Sequence, residues 1–149
     1  LCTDAAVTVG VGRIDERAKR LNDTTRESLL RAIAVSKPGA HIGDIGHAVQ
    51  SFAEARGFGV IRELVGHGVG LAVHEDPQIP NWGKTGTGEK LVEGMVIAIE
   101  PMLTEGSPKV SMAEDGWAWK TKDGSRASHF EHTLIITKTG AEVLTEREK

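Results

Sequence analysis

Met95-Val96-Ile97-Ala98-Ile99-Glu100-Pro101-Met102-Leu103 is the stretch on which the fold turns. It reads as a mostly apolar, buried strand over residues 95–103 that closes at Pro101, since proline brings no N–H to a ladder. Further on, residues 117–121 and 127–137 read as antiparallel partners across Lys122-Asp123-Gly124-Ser125, and Lys138-Thr139-Gly140 turns the chain into residues 141–144. Behind Met95 lie a Gly- and Thr-rich exposed loop over residues 81–90 and a short strand over residues 60–64. Before those, the spacing changes from two to three and four. Ala18, Leu21, Thr25, Leu29, Ala32 and Ile33 predict a helix over residues 15–36, stopped by Lys37-Pro38-Gly39. Ile42, Ile45, Val49, Phe52 and Ala53 predict a second over residues 42–56, with Gly57 just past its end. A short strand over residues 7–11 opens the chain. Helices first and antiparallel strands after argue an α+β fold.

The length of 149 residues argues one domain, 1–149. A single cysteine, Cys2, rules out an internal disulfide and suits a reducing compartment. The net charge of −3 gives no polybasic argument for nucleic acid or an anionic membrane, and no apolar run approaches the length of a membrane span. Leu1-Cys2-Thr3-Asp4 runs straight into Ala5-Ala6-Val7 with no Met, cap or polar lead-in, and reads as a chain cut inside an element.

Gly83-Lys84-Thr85-Gly86-Thr87-Gly88-Glu89-Lys90 imitates a phosphate loop but fails: a Glu intrudes before Lys90, and no Ser or Thr follows. Gly66-His67-Gly68-Val69-Gly70 says more. Backbone must pack closely around an imidazole flanked by glycines, and such spacing permits unusual dihedrals. His74, before Glu75-Asp76-Pro77, taken alone reads as a surface ion pair. Glu100 shifts the balance, because an ionised carboxylate ending a buried strand is costly unless paired or bound to a metal. Glu131, between Phe130 and Thr133-Leu134-Ile135-Ile136, repeats the situation, as does Asp4 before Ala5-Ala6-Val7. Each alone reads as half of an ion pair with Arg or Lys. Three carboxylates and one imidazole together suit a hard or borderline divalent ion, and such a cluster can hold and bridge two. His41, His47 and His132 read as structural or surface residues.

Gly66-His67-Gly68-Val69-Gly70, His74-Glu75-Asp76-Pro77, Ile99-Glu100-Pro101-Met102, Asp115-Gly116-Trp117 and Phe130-Glu131-His132-Thr133, in this order, resemble type I methionine aminopeptidase. The resemblance runs from about Asp4 to Leu144. It implies the pita-bread (creatinase/aminopeptidase-like) fold, a curved antiparallel sheet with helices on one face, here only its C-terminal part. It implies two divalent metal ions (Co, Mn, Fe or Zn), with Asp4, His67, Glu100 and Glu131 as ligands. Glu100 would also relay the proton, His74 would contact the scissile peptide, and Val73 and Trp117 would line the methionine pocket.

The implied activity is removal of the N-terminal methionine from nascent polypeptides, in the cytoplasm, by a monomer associated with the ribosome. The family's first Asp lies upstream of Asp4, so the chain alone is expected to be inactive. Val73 stands where the family often has an aromatic residue, Thr3 where it has glycine, and Ala127-Ser128-His129 where it has Ser-Ala-Gln. Alternation puts His129 on the strand face of Glu131, as a partner of a metal-bound carboxylate or a pH-sensitive neighbour of the metals. Glu75, in the loop beside His74, is expected to need no metal role, so that its replacement by Ala leaves turnover nearly unchanged. The alternatives are a non-catalytic pita-bread protein that binds peptides or partners, and an Xaa-Pro metallopeptidase of the same fold.

Overall fold

The computed structural model describes residues 1–146; residues 147–149, the end of the charged tail, lie outside the described residues. Helix α1 (Glu16–Val35) starts where Asp15 accepts a hydrogen bond from the Ala18 N–H at 2.8 Å, and ends at Ser36. Its buried stripe includes Leu21, Thr25, Leu29 and Ala32; the hydroxyls of Thr25 and Ser28 donate to carbonyls of their own helix, so the stripe carries them without an unmet donor. Helix α2 (Ile42–Glu54) stops before Arg56, because the N–H groups of Arg56 and Gly57 turn back onto Ala53 and Glu54 and Gly57 takes φ +78°.

Among the described residues there are also eleven short strands: β1 (Ala5–Ala6), β2 (Gly59–Val60), β3 (Gly66–Gly68), β4 (Glu75–Ile79), β5 (Val96–Ile99), β6 (Met102–Thr104), β7 (Val110–Met112), β8 (Trp119–Thr121), β9 (Ala127–His129), β10 (Glu131–Ile136) and β11 (Ala141–Val143). An antiparallel six-stranded sheet has the order β1-β10-β5-β3-β4, with β11 also on β10. A three-stranded sheet runs β2-β6-β9, and β7 pairs with β8 alone.

Both long strands expected from the sequence are broken, and at matching places. The chain leaves the larger sheet after Ile99 and enters the smaller one at Met102; it leaves the smaller after His129 and re-enters the larger at Glu131. The Phe130 N–H donates to the Pro101 carbonyl at 3.3 Å and ties the two crossings into one seam. Other expectations also fail. Residues 7–11 form no strand, and Val7, Val9 and Val11 are exposed, because only Thr8 finds a partner, the main chain of His129. Of residues 60–64 only Val60 lies in a strand. Residues 117–121 and 127–137 are not partners: β8 pairs with β7 and β9 with β6.

The core lies between the helices and one face of the larger sheet, where Leu29, Ala32, Ile45 and Val49 meet Ile79, Ile97, Ile99, Leu134 and Ile136. A second cluster, Leu21, Ala53, Phe58, Val60 and Leu103, carries the same helix pair onto the smaller sheet. Since Ile97, Ile99, Leu134 and Ile136 face the helices, Ala98 and Thr133 face away, and with them everything in register.

Candidate metal centre

The register builds the site. His67 stands opposite Ala98, and Ala98 opposite Thr133. The Thr133 hydroxyl takes the Asp4 N–H at 2.8 Å and donates to the Asp4 carbonyl at 2.7 Å. His67, Ala98, Thr133 and Asp4 thus form one row across β3, β5, β10 and the lead-in to β1, on the face turned from the helices. Two residues along, with the same parity, are Glu100 and Glu131 at the seam. Ala98 is small enough to leave room above it.

His67 sits at the centre, 7% exposed. Its Nε2 lies 3.6 Å from Glu100 Oε1 and 4.0 Å from Glu131 Oε1, while its Nδ1 lies 2.9 Å from the Gly68 carbonyl. A carbonyl can only accept, so Nδ1 carries the proton and Nε2 keeps its lone pair for the carboxylates' side. Donor atoms of His67, Glu100 and Glu131 lie within 4.8 Å of one another, as do those of Asp4, His67 and His74. The rings of His67 and His74 are 4.2 Å apart between centroids. Burial, reinforced by the charges of Glu100 and Asp4, pushes the Glu131 carboxyl up to about 7, and His129 only partly offsets this.

The ion-pair alternative for the three carboxylates fails, because among the described residues no Lys or Arg nitrogen lies within 4.0 Å of Asp4, Glu100 or Glu131. Buried carboxylates that repel one another around an imidazole lone pair fit a divalent cation.

The glycines around His67 act by closeness alone. A Cβ on Gly66 would collide with the Ala98 carbonyl and one on Gly68 with the Asp76 carbonyl, yet neither takes a positive φ. Residues 66–68 form strand β3, pressed between β5 and β4. His74 lies in the bend before β4, which Glu75 braces: its carboxylate accepts the Ala72 N–H at 2.6 Å. Glu75 therefore has a structural task in this bend, one that the sequence reading leaves unassigned. The Cys2 N–H donates to the Gly70 carbonyl at 2.9 Å and ties this bend to the segment carrying Asp4.

His129 reaches the cluster through Glu100 rather than Glu131: its Nε2 is 3.2 Å from Glu100 Oε2, although not aligned for a hydrogen bond. Val73, 41% exposed, adjoins His74 in the bend. Trp117 is not part of the cluster; it is 88% exposed at the turn between β7 and β8. Trp119, unmarked by the sequence, lines a cavity of about 200 Å³ beside His129 with Met102 and Val110. His132 bonds Thr145 through Nδ1 at 2.9 Å and His41 precedes α2, structural places as expected. Asn81, which the sequence places in an exposed loop, is fully buried, and its Nδ2 donates to the Glu100 carbonyl at 3.0 Å.

Residues 1–138 match the family model of Metallopeptidase family M24. The chain belongs to this family. It is 49% identical over 142 residues to methionine aminopeptidase B of Synechocystis, covering 95% of this chain and 52% of that protein. It is 47% identical to methionine aminopeptidase 1 of Bacillus subtilis, covering 95% and 57%. The crystal structure of methionine aminopeptidase from Thermotoga maritima superposes with a TM-score of 0.95 at 56% identity, over 97% of this chain and 58% of that one. Prolidase from Pyrococcus furiosus superposes with a TM-score of 0.76 at 28% identity, over 99% and 38%. The α+β, pita-bread fold is shared with both. The chain spans about half the length of the curated relatives it matches. Among the described residues no helix is long and apolar enough to cross a membrane.

Proposed function

We propose that this chain supplies the metal-binding wall of a methionine aminopeptidase, and that residues 1–149 act as one domain, part of the catalytic domain of such an enzyme. The reaction is removal of the N-terminal methionine from nascent polypeptides. The observation that carries this reading is that Asp4 and His67 gather in one donor group and His67, Glu100 and Glu131 in a second, on one face of the sheet and, among the described residues, with no Lys or Arg nitrogen within 4.0 Å of the carboxylates. The names and identities of the relatives support the substrate.

Asp4, His67 Nε2, Glu100 and Glu131 would hold divalent ions (Co, Mn, Fe or Zn), two when the upstream Asp is supplied. When bound, such ions lower the pKa of a water and polarise the peptide carbonyl. Glu100 accepts the proton of the attacking water and delivers it to the leaving amine, a relay between two lone-pair positions of one carboxylate. His74, held beside His67 by the Glu75-braced bend, donates to the peptide and steadies the developing oxyanion. Val73 and Trp117 border the methionine side chain. The reading extends to a monomer acting at the ribosome in the cytoplasm.

Met-Ala-Ser hydrolysis by the natural protein containing this chain tests it. Activity should fall by roughly 10²–10⁴-fold in Glu100→Gln. Hydrolysis of Xaa-Pro peptides in preference to Met-Ala-Ser would move the assignment to the prolidase branch. Undiminished turnover in Glu100→Gln would overturn the relay. The 149-residue chain alone should bind one Mn²⁺ tightly and turn over little, which calorimetric titration and the same assay measure.

A further inference from the structure

Asn81 connects helix α2 to the metal centre. Residues 80–83 cross α2 where Gly43 and Gly46 leave bare backbone; a Cβ on Gly46 would collide with the Trp82 carbonyl and come within 2.8 Å of the Pro80 carbonyl. The helix therefore backs this segment with main chain at Gly43 and Gly46, and Gln50 of the same helix accepts the Gly83 N–H through Oε1 at 3.2 Å. On the other side, the fully buried Asn81 donates from Nδ2 to the Glu100 carbonyl at 3.0 Å.

That carbonyl sits at the seam, past the end of β5 and before β6, next to a proline that has no N–H to offer. The other end of the Asn81 amide, Oδ1, is buried without a hydrogen-bond partner. Turning the amide over would set Oδ1 against the Glu100 carbonyl oxygen, two acceptors with no proton between them. The donor role is thus the one the surroundings allow.

We propose that Asn81 is a positioning residue for Glu100, fixing the main chain from which that carboxylate leaves the seam, so that α2 sets the geometry of the metal centre through one amide. This rests on the reading of Glu100 as a metal-binding and proton-relaying group.

Two measurements on the 149-residue chain test it: Mn²⁺ affinity by calorimetry, and the ¹³C resonance of the Glu100 carbonyl in the metal-free state. Asn81→Leu, which keeps the bulk and loses the donor, should weaken Mn²⁺ binding by about 10–100-fold, the usual loss when a partner of a metal ligand is removed. It should also move the Glu100 carbonyl resonance upfield. Asn81→Gln, which keeps the donor, should recover most of both. Ile45→Val, a core change in α2, should leave both near the parent values.

Should Asn81→Leu not fold, Asn81→Ala, which removes the donor without adding bulk, takes its place with the same expectations. An affinity loss no larger than that of Ile45→Val, or an unshifted carbonyl, overturns the proposal. If the parent chain binds no Mn²⁺, the metallopeptidase reading fails separately. The carbonyl resonance then decides for Asn81 alone: a shift upholds its hold on Glu100, and no shift ends it.

Discussion

Gly68 has the Asp76 carbonyl where its own side chain would be, and the strand it occupies carries His67. Gly68→Ala should therefore destabilise the chain by about 1–3 kcal/mol, the usual cost of forcing a methyl group into filled space. A urea midpoint measures this, and Mn²⁺ affinity should fall with it as the His67 ring moves. A wild-type midpoint would mean that β4 gives way freely. The closeness of backbone around His67 was legible in the sequence, because glycines flanking an imidazole have few other uses. Its cause was not: the Ala98 carbonyl lies 32 residues on from the Gly66 it crowds and the Asp76 carbonyl 8 on from Gly68, and no local pattern names them. The bracing task of Glu75 was illegible for the opposite reason, since an acidic residue beside a histidine looks like surface decoration until its partner, the Ala72 N–H, is seen. Glu75→Ala should speed hydrogen exchange at the Ala72 amide while leaving the exchange of β5 amides unchanged, as measured by NMR.

At the scale of elements, the helices were legible and the strand partners were not. Each helix carries its own stop and start, and Asp44 shows how far such local chemistry reaches. Its carboxylate takes the His41 N–H at 2.7 Å, which caps α2, and the Gly86 N–H at 2.8 Å, which pins the loop that imitates a phosphate cradle. These two bonds, His41's first, hold its pKa below the usual carboxylate value. A lowered carboxylate pKa adds stability that is fully present above the unfolded value of about 3.9 and is lost as pH falls through the folded one. Asp44→Ala should cost about 1 kcal/mol at pH 7, the typical worth of a helix cap. The difference from the parent should shrink below pH 4; urea titrations at pH 3 and pH 7 check both halves. Strand pairing escaped the sequence because the linker between β8 and β9 looks like a hairpin turn and is used otherwise. Asp123 spends one oxygen on the Ser125 hydroxyl and N–H and the other on the Ser107 N–H, bonds that bring its pKa down to about 2. This staples the linker to the segment before β7, so β8 pairs backwards and β9 is free to join β6.

For the molecule as a whole, the acidic face is a liability when metal-free. The Glu131 pKa of about 7 lies above its unfolded value, so here the sign is reversed: the folded state is penalised once the pH exceeds the unfolded carboxylate range, and the penalty is complete above about 7. With a chelator present, the urea midpoint should fall between pH 5 and pH 8; saturating Mn²⁺ should abolish or invert the fall, since only the folded state gathers the donors. An unchanged midpoint under chelation would mean that water reaches Glu131 and relieves the repulsion. The same carboxylates stand where the chain twice crosses between sheets, joined there by the bond from Phe130 to Pro101. A cation at that place would act as a rivet through two plates, and its removal would leave a fracture line with like charges prying at it. The chain would then come apart first between its plates, a weakness that a protease would find before any thermometer did.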